Sequence, residues 1–356
     1  MFAIDSHLDL AMNAVLWDRD LKLSAHETRA IETAEGMTEK GRCTGTVGLP
    51  DLRRGEFGLV FATVLARTNQ GLNSGIDFRT QDISYAQAQG QLAIYRELER
   101  QGLVRMIKTV SDLAAWRAAY DTDPDGTPMA FVLQMEGADP IVDAAQLESW
   151  FADGLRQLTL AHYGPSQYAF GTRSAGPVNA RGIELLKEMD RLGMTQDMSH
   201  LTDESFFDAA KYFNGPLFCS HSNVRALVPG DRQLSDDMIK VILERDGVIG
   251  AVFDAWMLQP DWVQYGGENK ITCTLDTVVD HIDYVCQTAG NANHAAIGTD
   301  LDGGYGIEQT PTDLNTIADC QKIPDLLRGR GYAEADVEKI MHGNWMSFLE
   351  RSLPAN

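Results

Sequence analysis

Cysteines are few in this sequence, and no two of them lie close enough to form a CxxC pair. The chain of 356 residues has five, namely Cys43, Cys219, Cys273, Cys286 and Cys320. A small, odd number of scattered cysteines argues against a disulfide framework. We therefore expect reduced thiols in a cytoplasmic protein.

Long apolar runs and an excess of positive charge are also missing. No stretch of about 18 apolar residues is present, so we expect no membrane span. Residues 1–7 lack the basic and apolar regions of a signal peptide. Lysine and arginine number 30 against 51 acidic residues, which gives a formal net charge of -21. Such an acidic chain is repelled by phosphate backbones, which disfavours a nucleic-acid partner.

What the sequence does have is a repeated alternation of short apolar runs and helical patterns. The predicted strands are 2–6, 59–65, 130–135, 156–161, 194–198, 216–220, 247–253 and 295–299. The clearest predicted helices are 81–101, 141–153, 180–192, 203–212, 235–245, 274–289 and 312–329. This alternation predicts a parallel sheet with helical crossovers, and eight strands favour a (β/α)8 TIM-type barrel over an open sheet.

Loops are predicted at 66–79, 163–177 and 254–272, and residues 104–108 offer one further strand. No repeat or linker divides the chain. Because α/β barrels often run well past 250 residues as one unit, we expect a single barrel domain with loop insertions over residues 1–356.

The side chains suited to metal binding stand where predicted strands end. His7 and Asp9 close the first strand and Glu136 closes the third. Single residues follow the fourth, fifth, sixth and eighth strands, namely His162, His200, His221 and Asp300. The carboxyl ends of barrel strands meet at one face, where barrel active sites are built. Histidines and carboxylates gathered there are typical of a metal site.

Local spacing supports that interpretation. His7 and Asp9 are two residues apart on a strand, so both side chains point the same way. The dipeptide Ser-His ends at His200 and again at His221, each time just after an apolar strand. Alone, each pattern is more often a chance match or a histidine at a helix start. Their shared place in the topology favours metal ligands.

Two carboxylates also admit an ordinary structural role. Glu136 ends a buried strand, which is costly unless the side chain is paired or metal-bound. It either bridges two cations or forms a salt bridge with an arginine, and the residues alone leave both open. In Gly298-Thr-Asp-Leu-Asp-Gly-Gly304, a turn in which aspartate bonds backbone amides suits Asp302 better than Asp300.

Eight motifs follow one another along the whole chain. They are Asp5-Ser-His-Leu-Asp9, Gln134-Met-Glu-Gly137, Leu158-Thr-Leu-Ala-His162, residues 188–200, Phe218-Cys-Ser-His-Ser222, Arg232-Gln-Leu-Ser-Asp-Asp237, Gly298-Thr-Asp-Leu-Asp-Gly303 and Gly343-Asn344. No single motif is decisive. Together, and in this order, they resemble the renal (membrane) dipeptidase family, zinc metallopeptidases with an amidohydrolase-type barrel.

The resemblance implies two zinc ions and the hydrolysis of dipeptides. Glu136 and a hydroxide are implied to bridge the ions. The implied metal ligands are His7, Asp9 and Glu136 for one ion and Glu136, His200 and His221 for the other. His162 is implied to polarise the scissile carbonyl and Arg232 to bind the terminal carboxylate of the substrate. Asp300 is implied to carry a proton to the leaving amine.

The chain departs from the family pattern in segments that shape the substrate pocket. Leu8 stands where the family has asparagine, Ala161 replaces a threonine, and residues 66–69 replace an aromatic-rich segment. The metal chemistry is therefore better supported than the substrate. For the group that binds the substrate amine, the sequence offers only loop acids such as Asp18 or Asp20.

Two other functions stay open at this point. A related barrel amidohydrolase acting on N-acyl amino acids, cyclic amides or lactones would use the same metals. A barrel that binds peptides without catalysis is the second alternative. The sequence has no Gly-x-Ser-x-Gly elbow, which disfavours a serine hydrolase. We expect a small dipeptide as partner, L-Xaa-D-Xaa substrates as the first to try, and a homodimer, since two-fold dimers are the commonest oligomers.

Overall fold

The computed structural model of the protein describes residues 1–68, 75–263 and 269–355. Among these residues the strands are β1 (Ala3–Leu8), β2 (Phe57–Val64), β3 (Arg67–Thr68), β4 (Asp77–Phe78), β5 (Val104–Met106), β6 (Met129–Glu136), β7 (Leu155–Thr159), β8 (Thr195–Asp197), β9 (Leu217–Phe218), β10 (Ile249–Ala251) and β11 (Ala295–Ile297). The eight predicted strands correspond to β1, β2 and β6 to β11, so each of them is confirmed.

The parallel sheet curls into a TIM-like barrel, as the sequence predicted. Six strands pair in the order β1-β2-β6-β7-β8-β9, and β10 pairs with β11. A bridge between Cys219 and Ile249 joins the two groups. At the seam between β11 and β1, the amide of Asp300 donates to the carbonyl of His7 (3.3 Å), and the hydroxyl of Ser6 donates to the carbonyl of Ile297 (3.0 Å).

The additional predictions had mixed outcomes. β5 confirms the further strand and pairs with the beginning of β6, outside the barrel order. The predicted loop 66–79 holds the short pair β3-β4, while its residues 69–74 lie outside the described residues. The predicted loop 254–272 contains a helical turn at Ala255–Leu258, and its residues 264–268 are likewise outside. All five cysteines have free thiols, as predicted.

Helices surround the strands. They are α1 (Leu10–Trp17), α2 (Ala25–Ala34), α3 (Leu49–Arg54), α4 (Gln81–Arg100), α5 (Val110–Thr122), α6 (Leu147–Asp153), α7 (Ala180–Leu192), α8 (Asp203–Tyr212), α9 (Asp236–Glu244), α10 (Ala255–Leu258), α11 (Leu275–Ala289), α12 (Ile323–Gly329), α13 (Glu334–Glu338) and α14 (Asn344–Ser352). Short 3-10 helices lie at Ala144–Gln146, Ile307–Gln309 and Ile317–Lys322, and a π-helix at Lys339–Gly343. None of the helices in the described part of the chain has the length and apolar character needed to cross a membrane.

Helix ends fall where capping residues dictate. α7 and α8 have the predicted bounds, because Asn179 and Thr202 each accept a hydrogen bond from a backbone amide in the first turn. Gly193 ends α7 in the left-handed conformation that glycine favours, with φ of 68°. The helices predicted at 141–153 and 312–329 begin later than expected, each through a 3-10 turn.

The barrel interior changes character along each strand. On β6, Ala130 and Val132 belong to an apolar cluster inside the barrel, whereas the intervening Phe131 packs with the outer core under the helices. The next residues on the inward face are the polar Gln134 and then Glu136. The same strand therefore supplies core at its amino end and polar groups at its carboxyl end.

Two glycines leave room for a polar layer in the middle of the barrel. A Cβ atom at Gly250 or at Gly298 would stand 2.5 Å from the Ser6 hydroxyl and still closer to the carbonyl oxygen of Ser220. Any larger residue would therefore collide with backbone. These close approaches allow Ser6 to bridge β1, β9 and β11 beneath the carboxyl-end face.

Candidate metal centre and active site

Four imidazoles converge on one carboxylate at the carboxyl end of the barrel. Glu136 is 2% exposed, and its Oε1 atom faces the Nε2 atoms of His200 (3.0 Å), His221 (3.4 Å), His7 (3.5 Å) and His162 (3.8 Å). The Nε2 atoms of His200 and His221 are only 2.9 Å apart. The histidines predicted from the strand ends are thus brought together around the predicted carboxylate.

Asp9 completes this cluster. The potential ligand atoms of His7, Asp9 and Glu136 all lie within 4.8 Å of one another, as do those of Glu136, His162 and His200. The spacing of His7 and Asp9 on β1 therefore places both side chains in one site, as expected. Asp9 also accepts a hydrogen bond from the Thr63 hydroxyl, which fixes its carboxylate.

Hydroxyl groups hold the far sides of the imidazole rings. The Ser220 hydroxyl lies 2.7 Å from Nδ1 of His221 and 3.4 Å from Nδ1 of His7. Thr172 contacts Nδ1 of His200 through its hydroxyl at 3.0 Å. Asp197 accepts from Ser220 and from two backbone amides. Partners of this kind fix the orientation of metal-binding histidines.

The donor set fits a divalent metal centre. The Nε2 atom of His7 is buried without a hydrogen-bond partner. Burial lowers the pKa of His200 and of His221 well below the ordinary value, and Arg232 acts in the same direction, so both rings are neutral. Neutral imidazoles with carboxylates are the ligands that zinc prefers.

The electrostatics of the pocket favour positive charge. Burial is the largest single influence on His7 and would lower its pKa, but the charge and hydrogen bond of Glu136, together with the charges of Asp9 and Asp300, outweigh burial and raise this pKa to about 10. Burial raises the pKa of Asp9 to about 7, and the nearby charge of Glu136 adds to the shift. A cation among these carboxylates would relieve their mutual repulsion.

A cavity of about 110 Å³, called the inner cavity here, opens beside this cluster. Its walls include Asp9, Glu136, His162, His200, Arg232 and Asp300. A second space of about 390 Å³, called the outer cavity, adjoins it and is lined in part by Lys40, Trp262 and Gln309. The eight residues predicted to form the site therefore border, or directly contact residues that border, one cavity.

Arg232 lies in the wall of the inner cavity with its guanidinium held by the backbone and by a serine. Its side chain is buried, and it donates to the carbonyl of His221 (2.7 Å) and to the Ser222 hydroxyl (3.0 Å). These bonds keep a permanent positive charge a short distance from the metal-binding cluster.

The position of the proton on the His162 imidazole is set by an arginine that sequence analysis did not single out. Nη1 of Arg67 lies 3.3 Å from Nδ1 of His162. Because a guanidinium can only donate, Nδ1 must accept, and the ring proton sits on Nε2. Burial lowers the pKa of His162 to about 3, with Arg67 and Arg232 opposing the charge of Glu136, so the ring is neutral.

Two site residues adopt a left-handed backbone although they are not glycine. His200 has φ of 67° and Asp300 has φ of 57°. Such conformations are uncommon for side chains of this size and concentrate at functional sites. Each residue lies shortly beyond the end of a barrel strand, and its side chain borders the inner cavity, where His200 contacts Glu136 and Asp300 faces His7.

Several residues of the site escaped sequence reasoning. Arg67, Thr172 and Asp254 come from loops, where no periodic pattern marks them. Asp197 had a signal, since it precedes Ser199 and His200 in the fifth-strand motif. The suggested amine-binding acids Asp18 and Asp20 are exposed and line neither cavity.

Comparisons with known proteins identify the family to which the chain is similar. The family model described as membrane dipeptidase (peptidase family M19) matches residues 1–352. An uncharacterised protein in the pqqA 5′ region of Klebsiella pneumoniae is 28% identical over 271 residues, covering 73% of this chain and 94% of that protein. Dipeptidase aclJ of Aspergillus oryzae is 25% identical over 357 residues, covering 97% of this chain and 76% of that protein. Two further curated dipeptidases are matched over only 51% and 44% of their own length.

A solved structure extends the likeness to three dimensions. The metallopeptidase of Rhodobacter sphaeroides with a phosphinate mimic of the dipeptide L-Ala-D-Ala superimposes with a TM-score of 0.79 over 99% of both chains, at 23% identity. That similarity supports the barrel fold. Because the family model spans nearly the whole sequence, the chain belongs to the membrane dipeptidase family, peptidase family M19, and is a hydrolase of the peptidase class.

Proposed function

We propose that the protein is a binuclear zinc dipeptidase. One observation carries the proposal: four imidazole nitrogens and the carboxylates of Asp9 and Glu136, drawn from five separate parts of the chain, face one another in one cluster. His7, Asp9 and Glu136 would hold one zinc ion, and Glu136, His200 and His221 the other. When bound, zinc lowers the pKa of water toward about 7 and polarises a carbonyl oxygen.

His162 is proposed to stabilise the negative charge that develops on the scissile carbonyl oxygen. Its Nε2 proton, set by Arg67, can be donated into the inner cavity. A positioned donor of this kind is worth about 3–4 kcal/mol in the transition state. Arg67 thus acts through His162 by fixing its tautomer.

Arg232 is proposed to bind the terminal carboxylate of the dipeptide. Its guanidinium is buried and already oriented by His221 and Ser222, so little conformational entropy is lost when a carboxylate binds. A charged hydrogen bond in this enclosed cavity would also fix the distance from the carboxylate to the scissile bond.

Asp300 is proposed to move the proton. Burial raises its pKa well above the usual range, and the charges of Glu136 and Asp9 add to the shift while His7 opposes it. A carboxylate with such a raised pKa can accept a proton from water and pass it to the departing nitrogen. Its Oδ1 atom lies 3.8 Å from Nε2 of His7, beside the proposed metal ligands.

Dipeptides of the L-Xaa-D-Xaa type are the proposed substrates. The Rhodobacter sphaeroides metallopeptidase was crystallised with a mimic of L-Ala-D-Ala, and the inner cavity of this chain has room only for a small ligand. Three further properties stay predictions from the sequence. They are a single domain over residues 1–356, a homodimeric state and a cytoplasmic location.

The test combines metal analysis with a substrate panel. Wild-type protein is expected to hold two zinc ions per chain and to hydrolyse dipeptides, and chelation should abolish turnover. His200→Ala is expected to lose zinc, whereas Asp300→Asn should keep zinc and lose about 10²- to 10⁴-fold in kcat. His26→Ala, at an exposed histidine on α2, is the matched control.

Three results would contradict the proposal. Activity on lactones or N-acyl amino acids without activity on dipeptides would favour a related amidohydrolase. Purified protein that binds no zinc and gains no rate when zinc is added would favour a peptide-binding barrel. Undiminished turnover in either His200→Ala or Asp300→Asn would overturn the assignment of the site.

A further inference from the structure

Asp254 is a buried carboxylate on the wall of the site. It follows β10, and the residue is 5% exposed. Its Oδ1 atom accepts from the side-chain amide of Gln309 (2.7 Å) and from the backbone amide of Trp256 (3.2 Å). The side chain of Trp256 also acts on the carboxylate through a hydrogen bond, which lowers its pKa. All these donors are uncharged, so a ligand that brings a positive charge would offset the cost of burying the carboxylate and would be bound favourably.

Asp254 stands where the two cavities adjoin. It lines both the inner and the outer cavity, together with Tyr163, Trp256, Gly303 and Gly304. A ligand that extends from the inner into the outer cavity would pass these residues. Arg232 borders the inner cavity as well, so a bound molecule would meet a fixed cation at Arg232 and a carboxylate at Asp254.

Within the described residues no protein cation forms an ion pair with Asp254. Lys40 lines the outer cavity and lowers the pKa of Asp254 through its charge, but it stands too far away for an ion pair. Burial prevails over this charge and over the hydrogen bonds from Gln309 and Trp256, and raises the pKa of Asp254 to about 6. The carboxylate is therefore ionised at neutral pH, and its hydrogen-bond donors leave its charge unneutralised.

We propose that Asp254 determines specificity by binding a positively charged nitrogen of the dipeptide substrate. The inference rests on the proposed dipeptidase function. Burial of the carboxylate strengthens such a pair, and the indole of Trp256 beside it suits a cation as well. The ring of Tyr163 offers less, since the Arg173 guanidinium already stands 5.3 Å from its centroid.

The N-terminal residue of a dipeptide, to which the inference applies, has two possible sources of this cation. One is its α-ammonium group, and the other is a basic side chain. With Arg232 on the terminal carboxylate, either group would lie on the opposite side of the scissile bond. The chemistry at Asp254 is the same for both, and the experiment distinguishes them.

The test uses calorimetry to measure how tightly zinc-loaded protein binds four phosphinic pseudodipeptides. These probes are not hydrolysed. One pair differs only in N-acetylation, which removes the α-ammonium charge. The other pair carries a lysyl or a norleucyl side chain on the N-terminal residue. Wild type is compared with Asp254→Asn, which keeps an acceptor for Gln309 and removes the charge. Asp20→Asn removes an exposed carboxylate and is the control.

The expected result is a contrast that depends on Asp254. Wild type should bind the free-amine probe, or the lysyl probe, about 10- to 100-fold more tightly than its neutral counterpart, as a charged hydrogen bond predicts. Asp254→Asn should lose that contrast and bind the neutral probe as before, while Asp20→Asn keeps it. With substrates, the loss should appear mainly as a higher KM.

Two other outcomes are informative in different ways. If both contrasts are the same in wild type and in Asp254→Asn, Asp254 does not bind the substrate cation and the inference is overturned, while the dipeptidase proposal stands. If zinc-loaded wild type binds none of the four probes, the proposed function fails and the inference fails with it.

Discussion

The two ends of the barrel interior are built on the same strands but have opposite chemistry. At the amino end, Trp345 from α14 packs against Phe61 and Phe218, with ring centroids 5.0 and 5.8 Å apart. At the carboxyl end, four histidines surround Glu136. On β9 the change takes two residues, from Phe218 to Ser220, since alternate residues share a face.

Stability and chemistry thus rest largely on separate layers of one barrel. The amino end buries large apolar rings, so it contributes mainly to the free energy of unfolding. The carboxyl end concentrates buried charges, which are costly to fold around but suit a metal site. Substitutions in the apolar layer should therefore leave metal binding largely unchanged, whereas removal of a buried charge at the carboxyl end can relieve a cost in stability.

The largest effect is expected at the amino end. Trp345→Ala removes a fully buried indole and its hydrogen bond to the carbonyl of Ile297, and should lower the free energy of unfolding by about 3–5 kcal/mol. Chemical denaturation measures this loss. Phe207→Ala, at an aromatic residue that is 42% exposed, should change stability little. If folded Trp345→Ala lost zinc, metal binding at the carboxyl end would depend on the apolar layer at the amino end, contrary to this expectation.

The second prediction concerns the carboxyl end, where a buried carboxylate makes the free energy of unfolding depend on pH. Asp139, three residues beyond Glu136, accepts from the amides of Thr68 and Gln167, and burial raises its pKa to about 6 despite these bonds and two nearby arginines. Its folded pKa exceeds the unfolded value of 3.8, so its ionisation removes stability as the pH rises from about 4 to about 6. The difference between the folded and unfolded pKa of Asp139 corresponds to about 3 kcal/mol in the free energy of unfolding.

Asp139→Asn should abolish this pH-dependent loss. Relative to wild type, the variant should gain up to about 3 kcal/mol between pH 4 and pH 7, on top of a constant penalty for the amide that loses its acceptor. Urea denaturation across this pH range measures the difference. Parallel stability curves for the two proteins would show that Asp139 does not titrate as the structure indicates.

The smallest effect is expected from a hydroxyl beneath the cluster. Ser220→Ala removes the group that orients the rings of His221 and His7, and should weaken zinc binding by about 10- to 100-fold with little change in stability. Competition with a chelator measures the affinity. Ser205→Ala, at a buried serine that bonds Gly176 instead of a histidine, is the matched control. Equal zinc affinity in both variants would separate Ser220 from the metal site.

Much of the fold could be predicted because strand and helix patterns are local. All eight barrel strands and seven helices left a periodic or apolar signature, and caps such as Asn179 fixed helix ends. Seven helices of the described residues were not among the predicted ones, namely α1, α2, α3, α5, α10, α13 and α14. Of these, α3, α10 and α13 have only 6, 4 and 5 residues, too few for a helical period to show. The two strands β3 and β4 inside a predicted loop have two residues each, too few to form a pattern.

The clustering of the proposed metal ligands could be predicted because they sit at strand ends, and a parallel barrel gathers those ends at one face. The positions of Arg67 and Asp254 could not, since each lies in a segment predicted as a loop, whose path is set by contacts distant in sequence. Asp18 and Asp20 seemed suitable only because they are acidic, and the structure leaves both at the surface.

The barrel, its family and the cluster around Glu136 follow from the order of amino acids alone, because hydrophobic periodicity and the residues at strand ends are local features. The folded arrangement is needed to see which residues of the predicted loops reach the cavity, that Arg67 sets the proton of His162, and that Asp254 stands where the two cavities adjoin. Those properties depend on distances between segments far apart in the chain, and no local pattern encodes such distances.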